Sequence, residues 1–118
     1  MAKAVVKELD NGFMKEGADV KLRYSLIPAE VDEELARILT YGAAKYAPNN
    51  WKKCKDSSYY EDALFRHLQC YRKGEHIDPE SGFHHLSHAL CNLAFLVYFE
   101  VTNDRTANAS KNDKIPGE

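Results

Sequence analysis

Three clusters of side chains carry the chemistry open to this 118-residue chain. The first is Glu30, Glu33 and Glu34. Carboxylates three or four positions apart on a helix lie about 5–6 Å apart at Cβ, so two of them can share a hard divalent cation, with magnesium or manganese as the natural guest. Without a metal, the same residues make a solvated first turn whose negative charge complements the helix dipole. The second cluster is His84, His85, His88 and Asn92, preceded by Asp78 and Glu80. His85, His88 and Asn92 fall at i, i+3 and i+7 and share one helix face. A polar line on an apolar helix needs partners: hydrogen bonds within a core, or a bound ligand or metal. Imidazole ligands would favour manganese, iron, cobalt or zinc over magnesium.

The third cluster is cationic and aromatic: Lys21, Arg23, Lys45, Tyr46, Asn50, Trp51, Arg66 and His67. Arg66 follows Asp62 by four positions, which allows a surface ion pair. Trp51, the only tryptophan, falls in a polar loop as either a core plug or a stacking surface for a nucleobase. The Arg and Lys residues around it suit phosphate. No other catalytic pattern competes. The chain has no Gly-rich phosphate loop, no GxSxG elbow and no HExxH, and a Cys91–His88 nucleophilic pair would sit on a buried helix with no acidic group to orient the histidine.

Three helices must position these clusters. Pro28 opens PAEVDEELARILTYGAAKY, where Val31, Leu35, Ile38 and Leu39 recur at spacings of three and four and predict a helix over 29–46. The loop APNNWKKCKDSS follows. Ser58 with Glu61 then matches a capping box and starts a helix over 59–73, with Leu64, Phe65, Leu68 and Tyr71 as its stripe and Gly74 as a left-handed cap. EHIDPESG reads as an exposed connector, because Pro79 disfavours helix at Asp78. The third helix, over 83–102, is apolar nearly all round, with Phe83, Leu86, Leu90, Leu93, Val97 and Val101 in one line and Ala94, Phe95, Leu96, Tyr98 and Phe99 around it. Two other helices cannot cover such a surface, so it is expected to pack on a partner subunit as well. Residues 1–19 read as a flexible segment, 20–102 as a single helical domain that starts with a short extended arm, and 103–118 as a frayed polar tail.

Composition agrees with one folded domain: 44% hydrophobic and 29% charged residues resemble ordinary globular usage. Cys54, Cys70 and Cys91 are odd in number and lack CxxC pairing, so a disulfide framework is not expected and a reducing cytoplasm fits. The start MAKAVVKELDNG has no apolar centre of a secretory signal, and the apolar run Ala89–Val101, interrupted by Asn92 and Glu100, is too short to span a bilayer. The net charge of −2 argues against nucleic acid as a partner. That near-neutrality is a cancellation: residues 28–43 carry −3 and 75–100 carry −4, while 44–74 carry +4. Acidic, histidine-bearing segments facing a cationic one suit a metal–triphosphate complex.

The strings KLRYSLIP, YGAAKY with NNW, and RHLQCYRKGEHIDPESGFHHLSHALCNLAFL together resemble a phage and bacterial family, the dATP/dGTP diphosphohydrolase N-terminal domain, a branch that looks like the all-α MazG-type nucleoside triphosphate pyrophosphohydrolases. The resemblance covers roughly residues 20–100, and ESGxxHLxHxxxN is its most specific part. It implies an oligomeric helical bundle, a purine (deoxy)nucleotide, Mg2+ or Mn2+, and release of pyrophosphate by attack of water, in the host cytoplasm if the chain is viral. Glu30 and Glu33 match the first metal-binding Glu-x-x-Glu pair. The second pair is spelled by Glu75 and Asp78 in the connector, whereas its place early in the third helix is held by His85 and His88. Glu30, Glu33, Asp78, His85 and His88 are therefore the expected metal ligands. Glu33 or Glu34 would orient or deprotonate the water, Arg23, Lys45 and Arg66 would neutralise the leaving pyrophosphate, and Asn92 and Trp51 would contact sugar or base. Histidines in place of acidic ligands also leave open a noncatalytic nucleotide binder, such as a phage sponge for a signalling nucleotide, or a purely structural helical oligomer.

Overall fold

A computed structural model of the chain describes residues 4–8, 14–19 and 21–109. They fall in two compact units. The larger, Ile27–Asp104, is built on α1 (Ala29–Lys45), α2 (Ser58–Arg72) and the greater part of α3 (His85–Ala109). This is the small all-α domain that the periodicities predict. The other unit holds an antiparallel ladder of β1 (Ala4–Glu8) and β2 (Met14–Asp19), pairing Ala4 with Asp19 and, after a shift of register, Lys7 with Lys15. The sequence reading contained no strands there. Instead of an extended arm, Tyr24–Leu26 forms a 3-10 turn closed by Leu26 N–H on the Arg23 carbonyl at 3.0 Å. Helix α3 continues through Ala109, beyond the expected boundary at 102, and residues 110–118 of the expected tail lie outside the described residues.

The start of α2 departs from expectation. Ser58 forms no capping box with Glu61. Its backbone N–H and hydroxyl both donate to Asp56 Oδ1, at 3.1 and 2.7 Å. A carboxylate two residues upstream is a stronger acceptor than a hydroxyl, so the Asp56 side chain organises the turn and Ser58 acts as donor. Those two bonds hold the Asp56 carboxyl below its ordinary range.

The end of α2 follows the sequence closely. Gly74 takes φ +99°, its N–H donates to the Tyr71 carbonyl at 3.0 Å, and Glu75 N–H donates to the Cys70 carbonyl at 2.9 Å. These are the two bonds of a Schellman motif. They turn the chain back so that Glu75 lies beside the last turn of α2. The connector beyond is a closed loop: Ile77 bridges His84, Asp78 N–H donates to the Phe83 carbonyl and His85 N–H to the His76 carbonyl, each at 2.8 Å. Asp78 and Ser81 are half-buried within it, not exposed as expected, because the loop folds around the Asp78 carboxylate and satisfies it.

Ile38, Ala89 and Cys91 form the buried apolar core, beside buried His85 and Ser87. From α2, Ala63, Leu64, His67 and Leu68 turn inward while Phe65 and Tyr71 are exposed, so the inner stripe is displaced from the expected one and includes a histidine. Trp51 fastens the α1–α2 loop to α3: it stacks on Phe95 at 4.3 Å and meets Tyr98 edge-on at 5.0 Å, and the Tyr60 hydroxyl donates to the Trp51 carbonyl at 3.0 Å. Burial pushes the Tyr60 hydroxyl up to about 12. On α3, Leu93 and Val97 remain 46% and 50% exposed, so α1 and α2 leave that face open.

Nothing lies within 4 Å of a Cβ placed on Gly74, so replacing this glycine costs backbone strain and no clash. Gly74→Ala should lower unfolding free energy by about 1–2 kcal/mol, the cost of a left-handed alanine, and Gly74→Asn by less. Urea denaturation of the two variants measures the difference.

Candidate functional site

The first residue of α3 sets the site. His85 is only 3% exposed, so both ring nitrogens need partners. Nε2 lies 2.8 Å from Glu75 Oε1, and Nδ1 lies 2.8 Å from His67 Nδ1 on α2. A carboxylate only accepts. With both rings neutral, His85 donates from Nε2 and accepts at Nδ1, and His67 donates from Nδ1, which leaves a lone pair on His67 Nε2. The line Glu75–His85–His67 ties the connector, α3 and α2 together.

A second line runs beside it. Ser81 Oγ donates to Asp78 Oδ2 at 2.8 Å and accepts from His88 Nε2 at 2.7 Å. Burial alone would raise the Asp78 carboxyl, but the donors from Ser81 and the Glu80 backbone, with His88 nearby, outweigh it and hold the group low. The His67 and His88 rings stack at 4.4 Å, 9° from parallel. Burial disfavours a proton on either ring: His67 is pushed down to about 4 by burial and then by His88 and His85, and His88 is lowered by burial with His85 adding to it, Asp78 opposing both shifts in part. Two neutral imidazoles thus lie face to face near neutral pH.

Both rings line a cavity of about 730 Å³ between α1, α2, α3 and the α1–α2 loop. Of the residues expected to touch a nucleotide, Lys45, Tyr46, Asn50, Trp51, Arg66, His67 and Asn92 all line it. The folding is local in origin: Asn49 takes the left-handed conformation at φ 62° and starts the 3-10 turn Asn50–Lys53, a conformation that asparagine tolerates. Lys45 Nζ lies over the Tyr41 and Tyr46 rings at 5.5 and 5.4 Å. The Asp62–Arg66 ion pair does not form among the described residues, so Arg66 is available to an anion. Trp51 packs on Phe95 and also contributes to the cavity wall. Asn92 donates Nδ2 to the His88 carbonyl at 2.8 Å. Lys21 and Arg23 are exposed and belong to the other unit.

The acidic residues of α1 are placed elsewhere. Glu30 is exposed in the first turn, Glu33 pairs with Arg37 at 3.2 Å, and Glu34 accepts from the Ser87 hydroxyl at 2.7 Å and pairs with Arg37 at 3.4 Å. Glu33 and Glu34, the expected catalytic pair, are outside the cavity lining, which contains no acidic side chain. Glu30, Glu33, Asp78, His85 and His88 do not gather as one metal-ligand set. Among the described residues, the group whose ligand atoms do converge is Cys70, Glu75 and His85, all within 4.8 Å.

Compared with known proteins, the chain matches the family model "dATP/dGTP diphosphohydrolase, N-terminal" over residues 13–109. The chain belongs to that family. The matched segment contains α1, α2, α3 and every cavity residue named above. A protein of Salmonella phage PMBT28, named dATP/dGTP diphosphohydrolase, is 34% identical over 99 residues, which cover 82% of this chain and 33% of that protein. The chain therefore spans about a third of the relative's length. No solved structure matches.

Sequence reasoning did not single out Ser81 or Cys70, nor the place of His88 in the cavity wall. The ESGxxHLxH string held the signal for Ser81 and His88, since a short polar side chain seven residues before a histidine returns to it only when Gly82, at φ +82°, folds the loop back. Cys70 carried no such signal.

The neutral state of His67 makes stability depend on pH. Its value is about 4 in the folded chain against 6.5 for an unperturbed histidine, so between those limits the unfolded chain binds more protons and stability rises with pH. The urea midpoint should therefore be fully developed above about 6.5 and decline as pH falls towards 4. His67→Gln should flatten that slope, read from denaturation curves across the range.

Proposed function

We propose that the cavity takes a purine (deoxy)nucleoside triphosphate and that the domain hydrolyses it to monophosphate and pyrophosphate. The observation that carries this reading is one cavity that combines Lys45 and Arg66 with the Tyr46 and Trp51 rings and two neutral imidazoles, in a chain of the dATP/dGTP diphosphohydrolase N-terminal family. The phage relative's name supports dATP or dGTP as substrate. In the reaction, water attacks the α-phosphorus, the bond to the β-phosphate bridging oxygen breaks, and the water's proton passes to His67 or His88. Arg66 and Lys45 balance the charge that grows on the departing pyrophosphate. Asn92 contacts sugar or base.

Magnesium or manganese is expected from the family resemblance. The five expected ligands do not form one centre, and Glu33 and Glu34 are engaged by Arg37 and Ser87. No step here runs through a resident metal. A cation carried by the triphosphate itself is part of the substrate.

The absence of acidic side chains from the cavity lining favours a second reading, a binder that retains its nucleotide intact. Incubation with dGTP and dATP, followed by chromatography of free and bound nucleotide, separates the two. Monophosphate with pyrophosphate supports hydrolysis, retention of intact triphosphate supports the binder, and the absence of both product and bound nucleotide overturns both. Under hydrolysis, Arg66→Ala should raise KM by about 10–100-fold, the worth of a charge-assisted contact, and His67→Gln should lower kcat by about 10²–10⁴. Loss of turnover in Glu33→Gln with His67→Gln unaffected would instead place the chemistry on α1.

The reading includes a homo-oligomer. Leu86, Leu93 and Val97 recur at i, i+7 and i+11 on α3 and are all exposed, a contiguous apolar face that a second copy would cover. Light scattering after size exclusion should give more than one chain per particle, and Leu93→Glu with Val97→Glu should return it to a monomer. A monomeric native chain would refute this part.

A further inference from the structure

We propose that Cys70, Glu75 and His85 form a site for a thiophilic divalent metal of the zinc class, independent of the nucleotide reading. Three separate elements supply the ligands. Cys70 belongs to the last turn of α2, Glu75 follows the Schellman turn that returns the chain over that residue, and His85 opens α3. One ligand atom from each lies within 4.8 Å of the others, and Glu75 Oε1 is 2.8 Å from His85 Nε2. Atoms sharing a tetrahedral zinc with bonds of about 2.0–2.3 Å are themselves under about 4 Å apart, so small side-chain rotations close the site.

A second observation points the same way. A ligating histidine almost always gives its other N–H to an acceptor that fixes its tautomer, and the other nitrogen of buried His85 already lies 2.8 Å from His67 Nδ1, which accepts from it once the His67 proton is on Nε2. Thiolate with imidazole selects zinc, cobalt or iron over magnesium. Three protein ligands leave the fourth position to water, and Glu75, with its side chain 52% exposed, leaves a path to solvent. As the metal–sulfur bond forms, the Cys70 thiol proton passes to solvent, so binding tightens as pH rises. Metal on His85 Nε2 leaves that ring's proton on Nδ1 as the donor to His67 Nδ1, and the proton His67 held there passes through solvent to its Nε2. The cavity wall would then change its hydrogen-bonding character with metal occupancy.

The test is a Co2+ titration of the full chain after chelator treatment, with no nucleotide present, so that its outcome is separate from that of the nucleotide assays. Expected are one equivalent bound, a thiolate-to-cobalt charge-transfer band with the visible bands of a four-coordinate site, and displacement by Zn2+. Cys70→Ser should abolish the charge-transfer band and Cys54→Ser should retain it. Glu75→Gln should weaken binding at least about tenfold, and His67→Phe about 10–100-fold with the band kept. Absence of the band in the native chain, its persistence in Cys70→Ser, or its loss in Cys54→Ser would overturn the site. If Cys70→Ser does not fold, Glu75→Gln decides: unchanged Co2+ affinity there refutes it.

Discussion

The buried imidazole of His85 is the constraint on which the arrangement depends. A ring with two nitrogens cannot be taken out of water unless both are paired, and here the partners come from the connector and from α2. Satisfying one side chain therefore ties together the residue that follows α2, a residue within α2 and the start of α3. The parallel Asp78–Ser81–His88 line repeats the device one turn further along. Between them the two lines hold His67 and His88 face to face as one wall of the cavity.

Another part of the cavity wall is set by packing rather than polarity. Trp51 locks a cationic, Asn-rich loop onto Phe95 and Tyr98, which carries Asn50 to the cavity beside Lys45 and Tyr46 at the end of α1, without burying their polar ends. Such a division has a physical advantage. Aromatic area supplies the adhesion, so the charged side chains need not spend their charge on internal ion pairs and stay available to an anion.

Helices were legible because their signals are local: periodic Leu and Ile, Pro28 at the start of α1, Gly74 at the end of α2. The cavity residues were legible by type, since a cationic and aromatic loop beside a histidine-rich helix already suggests an anionic, ring-bearing ligand. What could not be read was anything decided by competition between partners. Whether Glu33 serves a ligand or Arg37, whether Ser58 accepts or donates, and whether Phe65 or His67 faces inward all depend on which neighbour the fold delivers. Cys70 is the extreme case: it acquires company only through a turn that brings Glu75 back and a helix that begins fifteen residues later.

The central claim is that the histidine-walled cavity is where the nucleotide resides. Trp51 is the only tryptophan in the chain and forms part of that wall, so its emission reports occupancy directly. Titration with dGTP should change that emission saturably, with a midpoint that moves to higher concentration in Arg66→Ala. A chain that binds or hydrolyses dGTP with its tryptophan emission unaltered would contradict the account and put the nucleotide elsewhere.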